Sequence, residues 1–277
     1  MVVLILILLG LCLGSFANAL VWRVYQQEFA SKNKINSAKY AILKGRSMCV
    51  NCMHTLAWYD LLPVVSWLAL RAKCRYCHKP ISWQYPVVEL TTAGLFVASY
   101  LHWPTVFISN GDFAVFGLWL ILLTGFIALA VFDIRWMILP NRIVFPLQSI
   151  ATVYALSRFA QSGSEWSVLG GALAGVLCSA GVFYMLFQVS GGKWIGGGDV
   201  KLSVVLGLVL GSGVNALLML FIASLLGTLV GLPMIVRGKA KARTKLPFGP
   251  FLMTATVIVV IFGAQILDWY TRQFLSF

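Results

Sequence analysis

Residues 202–236 decide the fold class of this chain, and they read LSVVLGLVLGSGVNALLMLFIASLLGTLVGLPMIV. The stretch lies between Lys201 and Arg237 and contains no charged residue. A helix that crosses a membrane needs roughly 20 mostly apolar residues, so the stretch is too long for a single crossing. Because residues 211–215 read Gly-Ser-Gly-Val-Asn, which favours a turn, we predict two membrane helices joined there.

The composition of the whole chain agrees with a membrane protein. Its 277 residues are 60% hydrophobic and only 10% charged, and the mean hydropathy is +0.89. Soluble domains are about 45–50% apolar and about 25% charged. These values therefore exclude a soluble globular domain, a disordered chain, a coiled coil and a disulfide-rich secreted scaffold.

Other apolar runs complete a predicted set of about eight transmembrane helices, which makes the chain an all-α polytopic membrane protein. Residues 1–22 lack a basic start, so we interpret them as a retained first helix rather than a signal peptide. Two runs are weaker, because residues 87–101 contain Glu89 and residues 143–157 are short. The remaining clear runs are residues 113–132, 168–192 and 246–267.

The distribution of basic residues predicts the orientation in the membrane. With eight helices, one side carries every Lys and Arg except Arg158 and Arg272. Lys and Arg mark the cytoplasmic side, so we expect both termini on the outer side of the cytoplasmic membrane. The net charge of +13 then reflects topology and contact with anionic lipid headgroups, and we expect no nucleic-acid partner.

Residues 23–85 form the only long stretch outside the predicted membrane helices, and they contain two CxxC pairs. These pairs are Cys49 with Cys52, and Cys74 with Cys77. Their spacing is typical of a four-cysteine zinc ribbon, in which the metal is structural because four sulfurs fill its coordination sphere. We therefore predict a small cytoplasmic zinc-ribbon-like insert, with redox chemistry and unliganded thiols as alternatives.

Three acidic residues lie at or inside the predicted membrane boundaries, where an ionisable group is costly and is a functional candidate. Asp133 and Asp199 meet the same cytoplasmic interface, and two nearby carboxyl groups suit an aspartyl protease. Helix capping is the alternative for both aspartates. For Glu89 the alternative is a buried structural hydrogen-bonding group. Lys201 either holds a carboxylate ionised or reaches a headgroup.

An ordered series of motifs resembles the bacterial type IV prepilin peptidases, also called leader peptidase/N-methyltransferases, over nearly the whole chain. One segment departs from the family pattern, because Val24-Tyr25-Gln26-Gln27 replaces the usual Leu-Pro after Arg23. The matching motifs are Gly14-Ser15-Phe16-Ala17-Asn18, the cysteine-bearing region 46–89 with Trp58-Tyr59-Asp60 and Tyr85-Pro86, Asp133 with Pro140-Asn141, and GGGDVKL at residues 196–202.

The resemblance implies a GxGD-type membrane aspartyl protease in a bacterial cytoplasmic membrane. It would remove the basic leader from type IV prepilins or type II secretion pseudopilins after a glycine, with Asp133 and Asp199 as the catalytic pair. It would then methylate the new N-terminus with S-adenosylmethionine, for which Glu89 is a weak candidate by position. The domains would be a first transmembrane helix (1–22), the zinc-binding insert (23–85) and a membrane-embedded peptidase domain (86–277).

Two other classes of protein fit the same residues without the resemblance. A transporter or channel with a zinc-stabilised cytoplasmic module could use Asp133 and Asp199 as ion sites. Its site would be expected near the middle of the membrane, in broken helices. A non-catalytic assembly factor could use both aspartates only as helix caps.

Overall fold

The computed structural model describes residues 1–30, 41–42, 45–237 and 246–274. The predicted all-α fold is confirmed, because these residues form helices joined by turns, with two isolated β-bridges and no longer strand. Parts of the predicted insert, residues 31–40 and 43–44, lie outside the described residues. So do eight of the basic residues predicted to face the cytoplasm, which are Lys32, Lys34, Lys39, Lys44, Lys239, Lys241, Arg243 and Lys245.

The described residues form ten α-helices, and short helical turns of other types accompany them. A π-helical turn at Leu177–Gly181 joins α6 to α7, so residues Trp166–Ser190 form one continuous helix. The α-helices are α1 (Val2–Tyr25), α2 (Val65–Ala69), α3 (Gln84–Leu101), α4 (Asn110–Trp136), α5 (Asn141–Gln161), α6 (Trp166–Val176), α7 (Val182–Ser190), α8 (Gly197–Leu210), α9 (Gly213–Val236) and α10 (Gly249–Phe274).

Six helices in the described part of the chain are long and apolar enough to cross a membrane. They are α1 with the turn that follows it, α4, α5, the continuous helix Trp166–Ser190, α9 and α10. The chain is therefore a multi-pass membrane protein. The weak run at residues 143–157 lies in α5, which qualifies, whereas α3 and α8 do not. The count of eight crossings stays a prediction.

The predicted turn after residue 210 is confirmed. Helix α8 ends at Leu210, and Gly211 follows with φ +62°. Glycine adopts this left-handed conformation without the clash that a Cβ atom would cause, which explains why the helix stops there. Ser212 then precedes the first residue of α9.

The chain divides into two compact units, residues 1–101 with 123–128, and residues 102–122 with 129–277. In the first unit, α1 and α3 pack antiparallel along their lengths. A Cβ atom on Gly10 would stand 2.5 Å from the Ala93 Cα, and one on Gly14 would stand 2.7 Å from the Glu89 Cα. The glycines therefore let the two backbones approach closely, as is common between membrane helices.

In the second unit, α8 packs antiparallel against the continuous helix Trp166–Ser190. A Cβ atom on Gly175 would stand 2.5 Å from the Gly207 carbonyl oxygen. One turn further along, the Ser179 hydroxyl donates to the Ser203 carbonyl over 2.9 Å. This close packing fixes the position of α8, the helix that carries Asp199.

Candidate active site and metal centre

Asp133 lies in the last turn of α4 and is almost fully buried. The helix ends three residues later, where Met137 adopts a left-handed conformation and its N–H donates to the Asp133 carbonyl over 2.8 Å. The side chain accepts a hydrogen bond of 3.0 Å on Oδ2 from the backbone N–H of Gly249, the first residue of α10. This donor stabilises a negative charge on the Asp133 carboxyl group.

Asp199 lies in the first turn of α8 and is half-buried. The three preceding glycines include Gly196, whose extended backbone begins the helix and whose carbonyl accepts from the Asp199 N–H over 3.1 Å. A Cβ atom on Gly196 would stand 3.4 Å from Asp199 Oδ2. A side chain at position 196 would therefore contact this carboxyl oxygen, and glycine avoids that contact.

The two carboxyl groups lie within electrostatic reach of each other, since the charge of Asp133 acts on Asp199. Two neighbouring carboxylates repel each other when both are ionised, and sharing one proton relieves this repulsion. The residues lie at helix ends, one at the end of α4 and the other at the start of α8. The arrangement can thus offer one ionised and one protonated carboxyl group within electrostatic reach of each other.

The segment between α4 and α5 packs on the start of α8 and connects the surroundings of both aspartates. A Cβ atom on Gly198 would stand 3.0 Å from the Leu139 Cβ, so the segment rests directly on this glycine. The Lys201 Nζ donates to Asn141 Oδ1 over 3.0 Å, and Gln148 Nε2 donates to the Lys201 carbonyl over 2.9 Å. The bonding partner of Lys201 is therefore a neighbouring amide rather than a carboxylate.

The sequence reasoning missed Gly249. It lies in Pro247-Phe248-Gly249-Pro250 at the start of the last helix. A Cβ atom on Gly249 would stand 2.7 Å from Asp133 Oδ2, which is closer than Cβ atoms approach other atoms in real proteins. A glycine between phenylalanine and proline at the start of a membrane helix was the available signal, but nothing in it pointed to Asp133.

Glu89 lies in α3 and is buried. Its Oε2 accepts the backbone N–H of Val64 over 2.7 Å, and its carboxyl group also receives a hydrogen bond from the Ser15 hydroxyl. Both interactions tie neighbouring segments of the first unit together. This geometry favours a structural role for Glu89 over contact with a methyl donor.

The four cysteines of the two CxxC pairs form one cluster. Their sulfur atoms all lie within 4.8 Å of one another, and the Sγ atoms of Cys49 and Cys77 are 3.9 Å apart. Four sulfurs bound tetrahedrally at about 2.3 Å from zinc would be roughly 3.8 Å apart, so the cluster fits this ion. No further group of three or more potential ligands occurs in the described parts of the chain.

The two cysteine pairs lie in loops of the same form. Four residues after the first cysteine of each pair stand Met53 and His78, both in the left-handed conformation with φ 58° and 57°. Each donates its N–H back to the first cysteine's carbonyl over 2.9 Å. The loops therefore turn both sulfurs of each pair in the same direction, as metal-binding knuckles do.

The environment of the Cys49 sulfur favours the thiolate that a metal needs. Burial raises the pKa of this thiol, but hydrogen bonds from the N–H groups of Cys52 and Asn51 and from neighbouring thiols outweigh it and lower the pKa to about 7. At Cys77 a hydrogen bond from the backbone N–H of Lys79 lowers the pKa of the thiol. Burial and the other three thiols outweigh it and raise the pKa to about 11.

The sequence is similar to known proteins over nearly its whole length. Residues 8–103 match the Bacterial Peptidase A24 N-terminal domain, and residues 120–232 match the Type IV leader peptidase family. A prepilin leader peptidase/N-methyltransferase of Stutzerimonas stutzeri is 32% identical over 98% of this chain and 94% of its own length. Proteins of the same name from Pseudomonas aeruginosa and Bacillus subtilis are 33% and 32% identical, over 99% and 98% of this chain and 94% and 99% of their own lengths. No solved structure matches the chain.

Proposed function

The chain belongs to the type IV leader peptidase family, and from this premise we propose that it removes the basic leader peptide from type IV prepilins or pseudopilins after a glycine. The observation that carries the proposal is the meeting of Asp133 and Asp199 at the ends of α4 and α8. The names of the relatives, which are prepilin leader peptidases, support the same substrate class.

In the proposed reaction, Asp133 is the base and Asp199 is the acid. The Gly249 N–H stabilises an ionised Asp133, which takes a proton from a water molecule as the water oxygen attacks the scissile carbonyl carbon. Asp199 gives its proton to the carbonyl oxygen. Collapse of the tetrahedral intermediate breaks the C–N bond. The leaving amine takes the proton held by Asp133, and one hydroxyl of the intermediate returns its proton to Asp199, which restores both carboxyl groups.

The position of the aspartates at helix ends suits a substrate that is itself anchored in the bilayer. A prepilin has a basic leader in the cytoplasm and an apolar helix in the membrane, so its cleavage site lies at the interface. Gly196 and Gly197, which precede Asp199, are exposed and present no side chain to an extended substrate backbone. Because both the leader and the predicted cytoplasmic face are basic, the apolar helix contributes most of the binding.

We place the basic side of the protein in the cytoplasm of a bacterial cell, with both termini outside the cytoplasmic membrane. Within the second unit, the Asp133–Gly249 hydrogen bond supports an even number of crossings between the end of α4 and the start of α10. Helix α5, the continuous helix Trp166–Ser190 and α9 would account for three of them. We therefore propose α8 as the fourth. Helix α3 pairs with α1 along most of its length, which supports a crossing there too.

The same enzyme is proposed to methylate the new N-terminal amine, since its relatives carry the name N-methyltransferase. S-adenosylmethionine would supply the methyl group. The carboxylate of Glu89 already accepts from Val64 and Ser15, so we route no step through it. The four cysteines would hold zinc, which closes its coordination sphere with thiolates and stabilises the insert.

The test is the intact mass of a prepilin after incubation with the detergent-solubilised protein and S-adenosylmethionine. We expect loss of the leader and gain of one methyl group. Asp133→Asn and Asp199→Asn should abolish cleavage, although asparagine can still accept the Gly249 hydrogen bond and still cap a helix. The exposed Asp268, near the end of α10, provides the matched control Asp268→Asn, which should cleave normally.

Different outcomes separate the proposal from its competitors. Full cleavage by either active-site variant would contradict the catalytic pair. No mass change with several verified prepilins, under conditions where a related peptidase works, would favour the transporter or assembly-factor interpretation. Loss of the leader without a methyl group would keep the peptidase and remove the transferase.

A further inference from the structure

The short segment of residues 61–69, which contains α2, exposes apolar side chains. The exposed fractions of Leu62, Val65 and Leu68 are 43%, 61% and 62%. Val65 and Leu68 are three residues apart in one helix and so lie on the same face. Removing apolar surface from water is favourable by about 25 cal/mol per Å². A partner that covers this face would therefore gain binding free energy.

The hydrogen bond between Glu89 and Val64 fixes the depth of this segment along α3. Glu89 is five residues after Gln84, the first residue of α3, and its Oε2 accepts the Val64 N–H over 2.7 Å. At a rise of 1.5 Å per residue, Glu89 lies roughly 8 Å along the helix from its start. Residues 63–65 therefore reach back beside the second turn of a helix whose own exposed side chains there, Val87 and Leu90, are apolar.

The backbone at this point has an unusual conformation that is fully hydrogen-bonded. Val64 has φ 59° and ψ −48°, and the Val65 N–H donates to the Pro63 carbonyl over 2.5 Å, which defines a strained γ-turn. A β-branched residue rarely adopts this conformation. The buried Glu89 carboxylate accepts a hydrogen bond from the Val64 N–H, which has no partner within the turn itself. Irregular backbone needs such a partner where water is scarce.

The residues that flank the segment suit the boundary between water and lipid. Trp83 directly precedes α3, has an exposed fraction of 69% and packs on Trp67 with the ring centroids 4.2 Å apart. Tryptophan is enriched at this boundary. Residues 61–83 contain no acidic residue, and the basic side chains of Arg71, Lys73 and Lys79 are exposed. Their charge complements anionic headgroups.

We propose that residues 61–69 insert their apolar face into the headgroup–acyl boundary of the bilayer, with the Glu89–Val64 hydrogen bond as the internal anchor. The partner of this surface is the anionic lipid membrane itself. The inference does not depend on the proposed peptidase activity. It assigns to Glu89 a task that explains its burial in α3, and it makes the end of the insert a membrane-bound element.

The test places a genetically encoded fluorescent amino acid at Leu68 in the full chain, reconstituted in nanodiscs of phosphatidylethanolamine and phosphatidylglycerol. The matched control carries the same label at Met53, an exposed apolar residue in a cysteine loop. We expect lipids brominated on their acyl chains to quench the label at Leu68 severalfold more than the label at Met53. Aqueous acrylamide should show the reverse order.

A pair of substitutions tests the anchor. Glu89→Gln keeps an oxygen that can accept the Val64 N–H, and Glu89→Ala removes it. Quenching of the Leu68 label by brominated lipid should persist in the first variant and fall severalfold in the second. If Glu89→Ala does not fold, the comparison of Leu68 with Met53 in the parent chain still decides the proposal.

Two results would overturn the proposal. One is equal acrylamide quenching at both positions without quenching by brominated lipid. The other is protection of the Leu68 label only after a prepilin is added, because this would assign the surface to the substrate rather than to the membrane.

Discussion

Gly249 shows how a residue without a side chain can stabilise the charged form of a carboxyl group. Its N–H donates to Asp133 over 3.0 Å, and the absence of a Cβ atom permits this approach. The buried Asp133 carboxyl group therefore has a hydrogen-bond donor, although the helix around it is apolar. Glycine here is needed for space rather than for an unusual backbone conformation.

We predict that Gly249→Ala reduces leader cleavage by about 100-fold, because a displacement near 1 Å at a reacting group can cost that much. The new Cβ atom would stand 2.7 Å from Asp133 Oδ2 and push the carboxyl group aside. Cleavage rates by intact mass would measure the effect. Gly117→Ala is the control, since it lies in the same helix as Asp133 and its Cβ would meet nothing within 4 Å.

The Gly117→Ala control should cleave at the parent rate, and its stability should be equal or higher by about 0.5–1 kcal/mol, because alanine favours a helix over glycine. A Gly249→Ala variant with the parent rate would contradict the role given to Gly249.

At this scale the sequence indicated Asp133 and Asp199, because charged residues stand out in apolar runs. It could not indicate Gly249, which lies 116 positions from Asp133 without any pattern that links them.

At the scale of elements, the packing of α8 on the continuous helix Trp166–Ser190 sets the place of Asp199. A Cβ atom on Gly207 would stand 2.6 Å from both the Val176 Cα and the Ser179 Oγ. The contact lies at the π-helical turn Leu177–Gly181, which interrupts the regular helix where the partner approaches. The two helices therefore have little freedom to slide.

We predict that Gly207→Ala destabilises the protein by about 1–3 kcal/mol, the usual cost of overpacking. The thermal midpoint of the detergent-solubilised protein should fall, and leader cleavage should fall with it because α8 moves. Gly181→Ala, in the π-helical turn itself, is the control, since its Cβ would meet nothing within 4 Å. Equal midpoints for the two variants would show that the contact is not tight.

The elements themselves were largely predictable from hydropathy and turn residues. The turn at Gly211 follows from its sequence, and the boundaries of α4 and the start of α10 lie within a few residues of the predicted runs. Helix α10 continues to Phe274, well beyond the predicted end at residue 267. The γ-turn at Val64 could not be predicted, because a valine in an apolar run indicates an extended or helical backbone. The γ-turn depends on Glu89, which only the tertiary structure brings next to Val64.

At the scale of the whole molecule, we predict that the segment with the four cysteines folds around a zinc ion. Cys74→Ser should reduce the zinc content of the purified protein, from a single ion per chain toward none, as measured by elemental mass spectrometry. Proteolysis within residues 45–83 should become faster, because a small ribbon loses its fold without metal. Cys12→Ser, in α1, is the control and should keep the ion.

Acidification should release the same ion, because the ligands must be deprotonated. Unchanged zinc content in Cys74→Ser would contradict the four-cysteine site.

The sequence predicted this cluster well, because the spacing within and between the two CxxC pairs is typical of a four-cysteine metal site. The identity of the metal rests on the donor set and its size, since the four sulfurs lie within 4.8 Å of one another.

The topology of the whole chain gives a further prediction. Alkaline phosphatase inserted after Ser212 or fused after the last residue should be active, because both points are expected outside the membrane. Insertion after Lys193 or Arg237 should give inactive reporters, because both points are expected in the cytoplasm. The same activity at positions 193 and 212 would show that α8 does not cross, which contradicts the parity proposed from the Asp133–Gly249 contact.

That contact also has a consequence for the synthesis of the protein. The partner of Asp133 belongs to α10, which is translated after both aspartates, so a nascent chain that has already inserted both of them still lacks the donor to the first. Chains truncated before residue 249 should therefore be unable to hydrolyse peptides. The cell would thus meet an active protease in its membrane only after translation has passed the start of α10.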